Sequence, residues 1–310
     1  LQPSNGFIRL FTLKHLFKYL NYISIIFLVI LLYKFNYLSI PAVLSFQNLI
    51  LSYIFLFIGF LLFSISWHQI LRKSNIIVSS HESFLSLSLT IFTKYIPGKV
   101  FTIAGPASYI NKKRGYSFSK VSVLVVNMQV IVLWVALLYG FIGLININSI
   151  NVYGFTVFTF WILLTLLIYS RLFHDLAERM VKVVFKKEVT IPFLSYHSVI
   201  HVSMWVVIRW LFLSIAFYFF VKSLSPNGAL LNMGLALPLA TAIGILVIFV
   251  PCGIGVREGV LASYLALNGF GITEATTIAV SSRLWLIIGE LIVFLTGWLI
   301  EKKSLFAKHV

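Results

Sequence analysis

Five charged side chains lie inside otherwise apolar stretches of this 310-residue sequence: Arg209, Arg257, Glu258, Arg283 and Glu290. Charge at membrane depth is costly and by default marks a binding site or a pathway. Seven residues separate Arg283 from Glu290, which places them on one helix face, about 10 Å apart along the axis. Since arginine binds phosphate through two parallel N–H groups, the set predicts contact with a phosphate group.

Two alternatives stay open for these charges. In the first, Arg257, Glu258, Arg283 and Glu290 neutralise one another and hold the structure together, because intramembrane charges commonly pair. In the second, Arg209 is a packing residue that makes a cation–π contact with Trp210, its neighbour in sequence.

The elements that must position these charges include two broken apolar regions. Region 84–110 is interrupted at YIPGK (95–99), and region 229–268 is interrupted at FVPCGIG (249–255). Non-helical backbone at membrane depth needs protein or a watery cavity to satisfy its polar groups. We therefore predict two re-entrant helical hairpins; the alternative is that each region crosses the membrane twice, which gives eight spans.

The tips of these hairpins are predicted at the breaks. The tip residues are Pro97, Gly98, Pro251, Gly253 and Gly255. Arg257 and Glu258 follow the second tip, where the N–H groups of a new helix attract anions. Lys99 lies at the first tip and offers a second charge for a phosphate head group.

Composition assigns the chain to the membrane proteins. Hydrophobic residues make up 60% of it and charged residues 10%, which excludes an ordinary soluble domain. The net charge of +16 does not indicate nucleic-acid binding here, because the basic residues cluster between apolar runs. Cys252 is the only cysteine, which excludes internal disulfides and cysteine-based zinc sites.

Six stretches have the length of a full transmembrane helix. They are 18–38, 45–70, 119–143, 153–170, 196–221 and 276–300. Most Lys and Arg residues lie before the first span, in 71–120, in 171–190 and in the tail. The positive-inside rule then predicts that both termini are cytoplasmic, that hairpin 84–110 enters from inside and that hairpin 229–268 enters from outside.

The two broken regions also indicate an internal repeat. Pro97 and Pro251 lie 154 residues apart, and GYSFS (115–119) meets GFGIT (269–273) at the same offset. We predict one integral membrane domain over 1–310, with a first repeat at 45–143 and an inverted second repeat at 196–300. A basic interfacial segment is predicted at 1–17. Inverted repeats with broken helices are typical of secondary transporters.

Motifs for catalysis or metal binding are weak. His197 and His201 have a metal-like spacing, but no third ligand lies nearby in sequence. No nucleophile-elbow, zincin, P-loop or dinucleotide-binding pattern is present. We expect no metal, no cofactor and no enzymatic activity.

Two segments resemble the lysylphosphatidylglycerol synthase transmembrane-region family of flippase-like membrane proteins: 251–299 (PCGIGVREG to LTGWL) and 94–117 (KYIPGKVF to KRGYS). The residues that carry the resemblance are Pro251, Gly253, Gly255, Arg257, Glu258, Gly269, Arg283 and Gly297. The resemblance implies movement of a lipid between leaflets. In that family a soluble aminoacyl-transferase domain often follows; this sequence ends ten residues after its last span, so we do not expect that activity.

One departure from the family concerns the span after the first hairpin. The family usually carries charges there, whereas this sequence has Asn127, Met128 and Gln129. Gln129 aligns with Arg283 at the 154-residue offset, so an amide replaces one of two symmetric arginines. Gln129 is included among the predicted substrate contacts.

The leading hypothesis is an all-α polytopic lipid transporter of a bacterial or archaeal inner membrane, with about six full spans and two re-entrant hairpins. Its partner would be an anionic or zwitterionic phospholipid, or a polyprenyl-phosphate-linked lipid. A membrane-embedded transferase, with Glu258 or Glu290 as acid or base, is one alternative. A non-catalytic partner of a cell-envelope enzyme is the other.

Overall fold

The computed structural model describes residues 42–96, 100–145, 152–169, 196–226, 228–247 and 253–306, together with Asp175 and Arg179. Nine α-helices lie in these ranges: α1 (Phe46–Lys73), α2 (Ser80–Ser88), α3 (Val100–Arg114), α4 (Phe118–Ile145), α5 (Val152–Tyr169), α6 (Tyr196–Leu224), α7 (Ala236–Leu246), α8 (Val256–Leu267) and α9 (Ile272–Phe306). Short 3-10 turns cover Ile91–Tyr95 and Leu231–Leu235. The all-helical prediction is confirmed for this part of the chain.

Four of the described helices are long and apolar enough to cross a membrane: α1, α4, α6 and the segment Ile272–Ser304 of α9. They correspond to the predicted spans 45–70, 119–143, 196–221 and 276–300. The predicted span 153–170 is also a helix, α5, but its apolar part, Val152–Leu166, is shorter. The predicted span 18–38 and the interfacial segment 1–17 lie outside the described residues.

Both broken regions are interrupted where the sequence predicts. In the first, the turn Ile91–Tyr95 is followed by Ile96 in extended conformation, and the next described helix is Val100–Arg114; in the second, helix structure ends at Leu246 before the extended Val247, and the next helix begins at Val256 after Gly255. The flanking helices α2, α3, α7 and α8 have 9, 15, 11 and 12 residues. Each is therefore about 14–22 Å long, less than the roughly 30 Å of a bilayer core. Such short helices favour re-entrant hairpins, which remain a prediction.

Close contacts hold the two arms of each hairpin together. A Cβ on Gly105 of α3 would lie 2.8 Å from Cβ of Thr90, just before the first break. In the second hairpin, a Cβ on Gly253 would lie 2.8 Å from Cα of Gly244. No side chain fits at either contact without movement, so glycine permits the arms to meet.

Helices α1 and α6 form an antiparallel pair. The N–H groups of Leu44 and Ser45, at the start of α1, donate to the carbonyl of Ser223 at the end of α6. Further along, Gly59 of α1 packs against Leu213 of α6. An antiparallel pair is what the inverted repeat predicts for its two first helices; the repeat as a whole stays a prediction.

The outer faces of the long helices carry large exposed apolar side chains. Examples are Ile50 on α1, Met204 on α6 and Leu299 on α9, which are 60%, 60% and 52% exposed. A surface of this kind is typical of contact with lipid. The buried residues, in turn, include three charged ones, Glu258, Arg283 and Glu290.

Candidate functional site

Glu258 and Arg283 form a buried ion pair directly after the second helix break. Oε1 of Glu258 lies 2.8 Å from Nε and 2.6 Å from Nη2 of Arg283. The other carboxylate oxygen, Oε2, accepts the backbone N–H of Gly255 at 2.6 Å. A carboxylate that accepts the N–H three residues earlier satisfies an otherwise unpaired donor at a helix start. The Glu258 side chain thus caps the start of α8 and also neutralises the charge of Arg283 on α9.

The glycines of the second tip have the backbone conformation that a tight break needs. Gly253 and Gly255 have φ angles of +65° and +80°, a region that residues with a side chain rarely adopt. This supports their prediction as tip residues. The other predicted tip residues, Pro97, Gly98 and Pro251, lie outside the described residues, as does Lys99.

Arg257 reaches across the second break from α8 to α7. Its Nη2 donates to Oγ1 of Thr241 at 3.2 Å. Its stem lies over Gly244, where an added Cβ would come within 2.6 Å of Cγ of Arg257. Arg257 is half-buried, precedes Glu258 in sequence and contacts α7, the opposite arm of the hairpin.

Glu290 binds the first hairpin, not the second. Its carboxylate forms an ion pair with Lys94 and accepts a hydrogen bond from the Tyr95 hydroxyl at 2.9 Å. Glu290 is buried, whereas the Lys94 side chain is 31% exposed. The alternative of mutual neutralisation is thus confirmed for Glu258 with Arg283, while the partner of Glu290 is Lys94.

Helix α9 consequently contacts both hairpins through charged groups on one face. Arg283 binds the start of α8, and Glu290, about 10 Å further along the axis, binds the turn that precedes the first break. Both contacts occur where helices are interrupted. A movement of α9 along its axis would change both contacts together.

An ion pair joins the two arms of the first hairpin at the end away from the break. Arg114, the last residue of α3, binds Glu82 in the first turn of α2, with Nη2 and Oε2 2.8 Å apart. Burial raises the pKa of the Glu82 carboxyl, but the hydrogen bonds from Arg114 and from Ser79 lower it by more, so this pKa lies below its usual value. Glu82 also completes a capping box with Ser79.

Two predicted contacts lie outside this constellation. Arg209 on α6 stacks on Phe63 of α1 and on Trp210, with 4.5 and 4.6 Å between the guanidinium carbon and the ring centroids. Its predicted cation–π contact with Trp210 is confirmed, and the contact with Phe63 is new. Gln129 lies half-buried on α4. Within the described part of the chain, no three His, Cys, Asp or Glu side chains lie together as metal ligands would.

Lys94 and Tyr95 are the residues of this site that sequence reasoning did not identify. From the sequence, Lys94 is only one of the basic residues that the positive-inside rule places on the cytoplasmic side. A signal was present, since Lys94 lies within an apolar region and three residues before a Pro-Gly break. The same combination of charge and helix break identified Arg257.

Helices long enough to cross a membrane, short helices on either side of each interruption, and the buried ion pair of Glu258 and Arg283 beside the second interruption define a polytopic membrane protein. A sequence model of one family, described as the lysylphosphatidylglycerol synthase TM region, matches residues 19–293, and the chain belongs to this family. The resemblance inferred from the hairpin motifs is therefore confirmed. No curated protein and no solved structure matches the chain significantly.

Proposed function

We propose that this protein moves a lipid with a phosphate head group between the leaflets of a bacterial or archaeal cytoplasmic membrane, and that it is not an enzyme. The observation that carries the proposal is the buried pair of Glu258 and Arg283 at a helix break. Broken helices that place polar groups inside the membrane form the substrate sites of many secondary transporters. The family description, a lipid-synthase membrane region, supports a lipid as the substrate class.

The mechanism that fits this site is an exchange of anions on Arg283. Nε and Nη2 of Arg283 bind a carboxylate oxygen of Glu258. A phosphate presents equivalent oxygens to the same guanidinium, so the head group replaces Glu258 without leaving the cation bare. Glu258 gives up Arg283 in the exchange and keeps the N–H of Gly255, and the positive charge of the adjacent Arg257 balances the second negative charge that the phosphate brings to the site.

We assign the second ion pair, Lys94 with Glu290, to the opposite side of the lipid pathway. Lys94 and Glu290 join the first hairpin to α9, two helical turns from Arg283. When the phosphate binds at one hairpin, a shift of α9 loosens the contact at the other. Lys99, in the predicted tip of the first hairpin, then meets the head group on the cytoplasmic side.

The sidedness of this proposal rests on the distribution of basic residues. Arg72 and Lys73 end α1, while Lys112, Lys113 and Arg114 end α3. The N–H of Ile77 donates to the Tyr116 hydroxyl at 2.9 Å, so both basic ends lie on one side. That side is proposed to be cytoplasmic, together with both termini.

A transferase would need Glu258 or Glu290 as an acid or a base. Both carboxylates instead lie in ion pairs, with their lone pairs directed at donors. A non-catalytic partner of a cell-envelope enzyme would use the buried charges for folding alone. The experiment below separates that role from transport.

The test is translocation of a fluorescent phosphatidylglycerol in liposomes that contain the purified protein. We expect Arg257→Ala and Arg283→Ala to slow translocation, and Arg72→Ala, which changes an exposed arginine at the end of α1, to leave it unchanged. Since Arg283→Ala leaves Glu258 without its cation, a second variant combines Glu258→Gln with Arg283→Gln. The proposal fails if wild type moves the lipid no faster than protein-free liposomes, or if the folded double variant equals wild type.

A further inference from the structure

Arg209 lies in a part of the molecule that contains no acidic residue. The whole chain has eight Asp and Glu residues, and none of them falls in 1–81, in 83–174 or in 189–257. Helices α1, α4, α5 and α6 are therefore free of carboxylates. Among the described acidic residues, Glu82, Glu258 and Glu290 already bind Arg114, Arg283 and Lys94.

The guanidinium of Arg209 is flanked by two aromatic rings, and no described carboxylate binds it. Its carbon lies 4.5 Å from the Phe63 centroid and 4.6 Å from the Trp210 centroid. Nε and Nη1 are buried, and neither donates a hydrogen bond to any residue that the structure describes. Aromatic faces attract the positive charge, but they do not accept the in-plane N–H groups of the guanidinium.

Arg209 lies near the middle of α6, a helix long enough to cross a membrane, so we infer that this cation lies near mid-membrane depth. Arg209 is the fourteenth residue of the 29-residue helix α6, hence about 20 Å from either end. Phe63 likewise lies well inside α1, which runs antiparallel to α6. At this depth the side chain is too far from the interface for its charge to reach bulk water.

Two buried donors that have no partner among the described residues fit an anion that arrives with the lipid. An arginine binds a phosphate through two parallel N–H groups, while stacked rings fix the plane of the guanidinium. We propose that Arg209, between Phe63 and Trp210, binds the phosphate of a phospholipid head group midway across the membrane. The inference rests on the proposed function for the route by which a lipid phosphate reaches this depth, whereas the binding itself is tested separately.

The test measures lipid binding by thermal unfolding of the purified protein in detergent micelles. Phosphatidylglycerol should raise the unfolding temperature of wild type, whereas diacylglycerol, which lacks the phosphate, should not. Arg209→Gln should weaken phosphatidylglycerol binding by about 10–100-fold, as expected for loss of charge-assisted hydrogen bonds. Arg209→Lys should bind with intermediate affinity, because it keeps the charge but not the planar fork. The matched control is Arg72→Gln, an exposed arginine that should bind like wild type.

Removal of an uncompensated buried charge should not impair folding, so without added lipid the Arg209→Gln protein should unfold at or above the wild-type temperature. If Arg209 serves packing alone, this variant unfolds earlier and keeps its affinity for phosphatidylglycerol, and the inference is overturned. Equal binding of diacylglycerol, or of inorganic phosphate, would overturn the assignment of the ligand as a lipid phosphate. A wild-type protein that binds phosphatidylglycerol through Arg209 but moves no lipid in liposomes overturns only the proposed function.

Discussion

Neutralising one member of the Glu258–Arg283 pair should strongly destabilise the protein. The two side chains are only 9% and 4% exposed, and removing one partner of a buried pair costs about 3–5 kcal/mol. Glu258→Gln keeps an oxygen for the N–H of Gly255, so we expect its cost near the lower limit. Arg283→Gln leaves a carboxylate buried without its cation and should cost near the upper limit.

The double variant measures the interaction between Glu258 and Arg283 separately from the contacts of each with its surroundings. With Glu258→Gln and Arg283→Gln combined, neither charge remains, and two amides of similar size can bind each other. The loss should therefore be smaller than the sum of the single losses, by about 2–3 kcal/mol, the upper range for directly contacting residues.

The assay is reversible unfolding in mixed micelles, followed by circular dichroism as the fraction of denaturing detergent rises. Glu274→Gln provides the matched control, since it removes an exposed carboxylate from the first turn of α9 and should change stability by less than about 0.5 kcal/mol. Strictly additive losses, or single variants as stable as this control, would refute the buried pair and with it the exchange mechanism.

Three further predictions concern other contacts of the same structure. Glu290→Gln should increase hydrogen exchange in 91–95 and leave that of α8 unchanged, because the described side chains that bind Glu290, Lys94 and Tyr95, both belong to the first hairpin; equal increases in both would contradict this. Gly234→Ala should lower the free energy of unfolding by about 1–3 kcal/mol, since the added Cβ would lie 2.2 Å from the Ser214 carbonyl oxygen. Gly259→Ala is the matched control, because open space surrounds this helical glycine; in the same unfolding assay it should raise the free energy of unfolding by about 0.5–1 kcal/mol. Because the pKa of Glu82 is lowered by Arg114, the stability from this pair is present above the unfolded-state pKa of about 4.3 and is lost as pH falls through the folded-state value. The unfolding temperature of Arg114→Gln should therefore approach that of wild type in acid, and an unchanged difference at all pH values would argue against the pair.

The long helices were predictable because the signal for each is local. A run of about 20 apolar residues must satisfy its own backbone hydrogen bonds in lipid, so span 119–143 becomes Phe118–Ile145 with little change. The breaks were predictable for a similar reason, since Gly253 and Gly255 adopt conformations that few other residues tolerate. The helix ends differ by a few residues because capping side chains such as Ser45, which accepts the N–H of Asn48, determine them.

Sequence determined which charges enter the membrane and where the chain breaks, but tertiary structure alone decided which charges meet. Arg283 and Glu290 lie on the same helix face, yet two turns of helix hold their backbones too far apart for a short contact. Each therefore binds the hairpin that packs nearest to it, Arg283 with Glu258, 25 residues away, and Glu290 with Lys94, 196 residues away. The position of Arg209 against Phe63 has the same cause, because the antiparallel packing of α1 and α6 brings together residues that no spacing rule relates.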